Sequence, residues 1–490
     1  MAETKRFLGL SSRAELRAAN NLGTIMSSTK NQMKKLRKPE LELFDAYYES
    51  RQYDSLAPWD TTNEADGSYV PVRKRKPRLQ YSYAKVLCSR LASKLVGTRT
   101  FPSFNVELDP DTQEYLRLVI KTSGLKAKIV EPVRRALAAG SSLVRFSIVN
   151  GQWKIQHFLA KWCFPEFDNL GNLEFVKIQY VYDDENDRDQ KNQPKKKWFR
   201  MDLGKFADTL YDNPEYKQDV DNPVFTPVAT ANHELGFVQG EWIKTSEVPN
   251  SADGYSVICD IMDFIDELNY SLSQSSTAIQ YNQDPQLTIK GMDEDEMEKL
   301  IRSSMKAWNL GREGEAGFLE AGMSGVEAAN EFRDKIRSNV QDITRVILLD
   351  PEKIVGSAQS AKAMEVLHGP MVELIEELRP QMEKHLTNLV LKMAMTNLII
   401  DSRGGEAPIP IPPGYKPQSL DITVGWPEIF APTMQDLQQK VSIAVSAASG
   451  NLISRETMTK WLAKEFNVEN IEEELAKIAA QPVINPFGGF

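Results

Sequence analysis

The sequence predicts an α+β chain in which long helices surround a smaller block of strands. Helical apolar spacing runs through residues 82–95 and dominates again from Ser256 onward. Between residues 143 and 201 the pattern changes to short alternating runs rich in β-branched and aromatic residues. Two further helical stripes, 257–279 and 326–347, flank one glycine-rich insert. At 490 residues, 41% hydrophobic and 26% charged, the chain can bury substantial cores, as one multilobed domain or about two to four smaller ones.

Residues 1–39 read as a basic arm whose cations include Arg13, Arg17, Lys34, Lys35, Arg37 and Lys38. Helical spacing starts at Glu40 and passes through Leu41, Phe44 and Tyr47/Tyr48 to Arg51. A polar stretch, 60–67, leads into RKRKPR at 73–78. Val86, Leu87, Leu91 and Leu95 then share one helical stripe, which Gly97 ends. A helical pair, 111–123 and 126–139, precedes strand-like runs at 143–149, 153–158, 173–182 and 198–201. Asn150-Gly151 separates the first two runs and suits the positive-φ positions of a tight hairpin turn; 169–171 marks another turn. The segment 183–194, DDENDRDQKNQP, reads as a long solvated loop that closes on Lys195, Lys196 and Lys197.

In the second half, Val257, Ile261, Phe264/Ile265, Leu268, Leu272 and Ile279 form one stripe, with Asp260, Asp263, Asp266 and Glu267 mainly off it. A helix of about 25 residues would span roughly 40 Å. Asp284-Pro285 ends it, and Leu287 and Ile289 read as a short strand before an acidic helix start. The glycines of 309–325 are too many for a helix and imply loop and strand. The second stripe carries Val326, Ala329, Phe332/Arg333, Ile336, Val340, Ile343 and Ile347, which gives a helical hairpin tipped by a small α/β insert. After the loop LDPEKIV comes a Ser-initiated helix bent at Gly369-Pro370, because Pro370 cannot donate to the carbonyl of Val366 and its ring crowds that turn; Pro380 adds a second bend. A proline-rich connector, 404–417, leads to a strand at 420–424. Helices return over 437–448 and 456–466, the latter capped by Ser454, and Asn470 with Glu473 resembles a capping box.

The chemistry-bearing residues form no catalytic pattern. Cys88, Cys163 and Cys259 are odd in number and far apart, and the four histidines, His157, His233, His368 and His385, lack HExxH or HxH spacing, so neither disulfides, a metal centre nor a cofactor is expected. No GxxxxGK[ST] or GxGxxG supplies a phosphate cradle. The acids at 183–185 and 293–298 are contiguous runs in a polar loop and a helix start, where they favour the helix dipole. Net charge of -9 opposes nonspecific DNA binding by the whole surface. Arg73, Lys74, Arg75 and Lys76, with Lys195, Lys196 and Lys197, are nevertheless concentrated cations: either solvated loops or contacts to a polyanion. Neither a signal peptide nor a membrane span is expected.

Taken in order, these pieces resemble the portal proteins of tailed bacteriophages over residues 40–480. YSYAKVLCSRLASKLVGTRTFPSF resembles the first wing helix and its exit, and VRRALAAGSSLVRFSIVNGQWKIQ the family's helix, small-residue turn and hairpin. SVICDIMDFIDELNYSLSQSSTAIQYNQDPQLTIKG is similar to the stem helix entering the clip. VGSAQSAKAMEVL resembles the helix start after the tunnel loop, and GNLISRETMTKWL the crown segment. The basic arm and the lysines at 195–197 depart from the family pattern.

The resemblance implies a non-enzymatic, portal-like fold: an N-terminal arm at 1–39, a mixed α/β wing at 40–254, stem helices at 255–282 and 326–348 and an α/β clip at 283–325. A tunnel loop at 349–357, a wing return at 358–429, an α-helical crown at 430–480 and a tail at 481–490 follow. It further implies a dodecameric homo-oligomeric ring at one capsid vertex of the virion, assembled in the host cytoplasm, with double-stranded DNA passing through its channel. Its partners would be the terminase large subunit, then connector, adaptor or tail proteins, with the major capsid and scaffolding proteins around it. On this reading Asp350, Pro351, Glu352, Lys353, Ile354, Val355 and Gly356 form the constriction, and Asp260, Asp263 and Glu267 face the lumen or a neighbouring subunit. The plain alternative for each is a solvated loop or helix face. Rival functions are a metal-dependent nucleic-acid enzyme and a helical assembly scaffold outside phages.

Overall fold

The computed structural model describes residues 30–106, 110–189, 191–217, 223–283, 286–290, 315–319, 324–347, 365–411, 422–430, 434–450, 452–465 and 475–478. The chain divides into two compact units, Met1–Val346 with Leu374–Pro427, and Ile347–Glu373 with Glu428–Phe490.

The core of the larger unit packs helices on a three-stranded sheet. Helix α1 spans Lys30–Tyr48 and α2 Tyr83–Val96; on α2 the expected stripe buries Leu87, Leu91 and Leu95 completely. After strand β1 (Ser103–Val106) and helix α3 (Pro110–Ser123), helix α4 (Val130–Ala139) buries Val133, Ala136 and Leu137 against α2 and strand β2. β2 (Ser141–Val149) and β3 (Gln152–Leu159) form the hairpin expected at Asn150-Gly151, both of whose φ angles are positive, 50° and 68°. Strand β9 (Gly240–Lys244) joins the other side of β2, giving the order β3-β2-β9.

Two glycines let the chain pass close to itself beside this sheet. Gly140 has φ +86°, and a Cβ there would lie 2.1 Å from the carbonyl oxygen of Gly254. Gly254 is equally confined, 2.6 Å from the carbonyl oxygens of Gly140 and Ser246. No other residue fits at either position without moving backbone.

A five-stranded antiparallel meander follows, β4 (Cys163–Phe167), β5 (Leu173–Arg188), β6 (Pro194–Gly204), β7 (Ala207–Tyr211) and β8 (Pro227–Asn232), in that order. The sequence reading of 183–194 as a loop needs correction: β5 continues to Arg188 and β6 begins at Pro194, leaving a short turn. Opposite charges across the ribbon explain it. Lys195 pairs with Asp187 at 3.0 Å, and Lys197 with Asp184 and Asp187 at 2.9 Å each. Asp189 closes the turn, its Oδ1 accepting from the backbone N–H of Lys191 and of Gln193, both at 2.8 Å.

The N-terminal boundary also shifts. α1 begins at Lys30 and runs through Pro39, so Arg37 belongs to a packed helix and not to an arm. Its guanidinium reaches the Asp253 carboxylate (2.9 Å) and the carbonyls of Cys163 (2.7 Å) and Ala160 (3.3 Å), and lies over the Trp242 ring. These anchors hold the helix across a proline that breaks its ladder. Residues 1–29 lie outside the described residues.

Further along, a 3₁₀ turn (Cys259–Ile261) precedes helix α5 (Met262–Gln283), so Asp260 stands before the helix. Strands β10 (Gln286–Lys290) and β11 (Glu315–Leu319) pair antiparallel, and helix α6 covers Ser324–Thr344, ending where Arg345 takes a φ of 57°. Helix α7 starts at Gly369 and runs to Ser402. Helical backbone at 365–367 is interrupted at His368 and resumes at Gly369, so the helical run breaks where the sequence expects it. Pro370 stands in the first turn of α7, where its missing N–H costs nothing, and the carbonyl of His368 accepts from Met371 and Val372. Pro380 lies inside α7. Strand β12 (Ile422–Gly425) returns to pair with β1.

In the smaller unit, helices α8 (Met434–Ser449) and α9 (Arg455–Glu465) pack together, and Ser454 Oγ caps α9 by accepting from Thr457 N–H at 3.0 Å. The Asn470/Glu473 capping pair lies outside the described residues.

Gly140→Ala should lower the unfolding free energy by more than about 2 kcal/mol, whereas Gly67→Ala, with φ +83° in open space, should cost about 1 kcal/mol. Denaturant midpoints of the two variants check the difference. His157 supplies a pH dependence. Burial pushes its imidazole down to about 4, while the unfolded chain takes up that proton near 6.5, so the stability it contributes is complete above 6.5 and is lost as pH falls toward 4. Its Nε2 is buried without a partner, so His157→Phe should flatten that part of the stability–pH curve measured by urea unfolding.

Candidate functional site

The two long helices α5 and α6 pack against each other, and β10 and β11 extend from their connected ends. The first of the pair is lined with polar side chains that hold an irregular strap, residues 53–81. Asp266, 2% exposed, accepts from Tyr47 Oη at 2.7 Å and Tyr53 Oη at 2.5 Å. Asn269 takes the N–H of Tyr81 on Oδ1 (2.8 Å) and donates to Tyr53 Oη (3.2 Å). Ser273 Oγ accepts from Leu79 N–H (3.0 Å), Trp59 Nε1 donates to Thr277 Oγ1 (3.1 Å), and Tyr270 Oη reaches the carbonyls of Arg73 and Arg75 (3.0 Å each). Each turn of α5 thus satisfies a backbone or ring group of a strap that has no ladder of its own. Burial and the Asp266 carboxylate raise the Tyr53 phenol far above its ordinary range, and raise that of Tyr270 to about 12.

Asp266 corrects the sequence reading, which set it off the buried stripe. Among the acids expected toward a lumen or neighbour, Glu267 pairs with Arg73, and Asp260 accepts from the Tyr255 hydroxyl. Asp263 is exposed on α5.

The basic segment is mostly engaged within the chain. Arg73 also stacks over the Tyr270 ring, 4.9 Å from its centroid; Arg75 is 7% exposed and donates twice to the carbonyl of Val70; Lys76 pairs with Asp54 at 2.7 Å. Lys74 is exposed. Lys195 and Lys197 are held by the aspartates of the opposite strand, and the hydrogen bonds that Lys197 donates to Asp187 and Asp184 raise its pKa. Lys196 is exposed beside them. A sequence signal for that pairing existed, acids before a turn and lysines after it, but composition alone reads as loop.

The apolar stripe of α6 is covered along one edge only. Ile336 and Val340 are buried, 5% and 0% exposed, whereas Phe332 and Ile343 are 49% and 45% exposed. The single stripe expected from spacing is thus only half covered. Asp350, Pro351, Glu352, Lys353, Ile354, Val355 and Gly356 lie outside the described residues.

Among the described residues no group of His, Cys, Asp and Glu could hold a metal ion, and no helix is long and apolar enough to cross a membrane. The family described as "Phage portal protein, SPP1 Gp6-like" matches residues 28–482. The chain belongs to the phage portal protein family. The resemblance read from its sequence segments is therefore borne out, and the mixed helix and sheet content agrees with a portal fold. No curated protein matches this portal-family chain. Among solved structures it is similar to a chain of "Virion of native gene transfer agent (GTA) particle", at 10% identity and TM-score 0.42 over 78% of this chain and 88% of that one. It is likewise similar to a chain of "Neck of empty GTA particle computed with C6 symmetry", at 10% identity and TM-score 0.43 over 78% and 90%.

Asp266→Ala should lower the unfolding free energy by about 2–3 kcal/mol, because two buried phenols lose a charged acceptor; Asp263→Ala should change it by less than about 0.5 kcal/mol. Calorimetric or urea unfolding of the two variants separates the buried acid from the exposed one.

Proposed function

We propose that this protein is the portal subunit of a tailed phage or phage-like particle. Copies of it form a ring, dodecameric in our reading, at one capsid vertex. Double-stranded DNA enters and leaves the head through the axis of that ring. The observation that carries the reading is the family match over residues 28–482.

Within it, α5 and α6 are the stem, the segment holding β10 and β11 is the clip and docks the terminase large subunit, and the two larger sheets with α1 to α4 and α7 are the wing. α8 and α9 belong to the crown, and residues 349–357 are the tunnel loop, with Asp350, Glu352 and Lys353 at the constriction. After packaging, connector, adaptor or tail proteins replace the motor, while the major capsid and scaffolding proteins surround the wing.

Two physical features support this assignment. α5 carries no Asp, Glu, Lys or Arg from Ser271 to Gln283, so this stretch itself adds no cation that would retain a polyanion. Each fixed charge elsewhere acts over only about 8 Å at physiological salt. The exposed Phe332 and Ile343 of α6 give a second copy an apolar contact alongside the stem.

Negative-stain images of the purified protein should show rotationally symmetric rings with a central hole; monomers or filaments would sink the proposal. Phe332→Glu with Ile343→Glu should shift the population from rings toward single subunits in analytical ultracentrifugation. Replacing Glu352 or Lys353 should alter the length of packaged DNA, and unchanged packaging across several such variants counts against the loop assignment.

A further inference from the structure

The free edge of the three-stranded sheet is closed by a helix and not by a strand. β9 is the outer strand of β3-β2-β9, so its outward backbone groups have no ladder partner. Side chains of α7 take that place. Lys244 N–H donates to His385 Nε2 at 3.1 Å, and the carbonyl of Gly240 accepts from Lys392 Nζ at 3.0 Å. Between them the Glu241 carboxylate, 5% exposed, accepts from His385 Nδ1 at 2.8 Å and Lys392 Nζ at 2.6 Å. Gln381 Nε2 also lies 3.1 Å from His385 Nε2.

This arrangement dictates the state of the ring. A backbone N–H can only donate, so His385 Nε2 must present its lone pair to Lys244. Nδ1 then carries the single proton and gives it to Glu241. His385 is 7% exposed and neutral in this geometry. The charges around it are already matched: Lys392 pairs with Glu241, Lys384 with Glu247 at 3.2 Å, and Asp253 with Arg37. The Lys244 ammonium lies over the Phe167 ring.

We propose that His385 is an acid-labile pin that fastens α7 to the edge of β9. A proton taken from solvent onto Nε2 sets two donors against each other, breaks the bond to Lys244 and favours the state in which the helix has left the strand edge. Gln381 can turn its amide to accept from the charged ring, but the backbone of Lys244 has no such alternative. The inference is independent of the portal assignment, since it depends only on contacts within one chain.

Hydrogen exchange of the full-length protein between pH 7.5 and 5, corrected for the intrinsic pH dependence, tests it. As pH is lowered across this range, protection of the β9 amides, Lys244 above all, should fall up to about tenfold per pH unit relative to amides of β5 and β6. In His385→Gln the amide can donate to Glu241 and accept from Lys244 at every pH in that range, and the local slope should vanish. His157, in the same sheet, titrates in both proteins, so its contribution cancels between wild type and variant. Equal slopes in wild type and variant overturn the proposal. If His385→Gln fails to fold, the wild type decides alone: β9 protection that tracks β5 and β6 across the whole range also overturns it.

Discussion

A carboxylate buried on the first long helix of the α5–α6 pair is the constraint on which the surrounding structure depends. Asp266 is removed from water and needs donors, and Tyr47 of α1 and Tyr53 of the strap supply them. That requirement ties the N-terminal helix and the start of the strap to one turn of α5. The next turns continue the arrangement through Asn269, Ser273 and Thr277, so that residues 53–81, with only a 3₁₀ turn and isolated bridges of their own, lie along the helix. A helix dressed in this way is held along much of its length.

The same logic recurs where polar side chains replace backbone pairing. The β9 edge is closed by His385 and Lys392, and the carbonyls of Ala160 and Cys163, at the start of β4, are closed by Arg37. In each case a cationic or titratable residue that looks solvent-bound in the sequence is a structural fastener. This explains why a chain so rich in charge keeps its concentrated cations largely to itself: Arg73, Arg75, Lys76, Lys195 and Lys197 all find partners within the chain. The portal reading therefore does not need these residues as a DNA grip.

Much of the fold was legible before the structure. The α2 stripe, the Asn150-Gly151 hairpin, the Ser454 cap and the pairing of two long helices about a small insert each follow from local spacing, because helix and turn preferences act over a few residues. Boundaries failed where a long-range contact overrode a local signal. Pro39 did not start α1 because Arg37, two residues earlier, is anchored to three distant groups. DDENDR was not a loop because lysines lay opposite on the next strand.

By itself the sequence determined the order of helices and strands, the turn chemistry and, through segment resemblance, the portal family, since all of these rest on neighbours in the chain. Only the tertiary structure decided which charged residues are fasteners: that Asp266 is buried, that Glu267 belongs to Arg73, that His385 meets the edge of β9. The role of a polar side chain is set by the group placed against it, and for these residues that group comes from a part of the chain that no local pattern can specify.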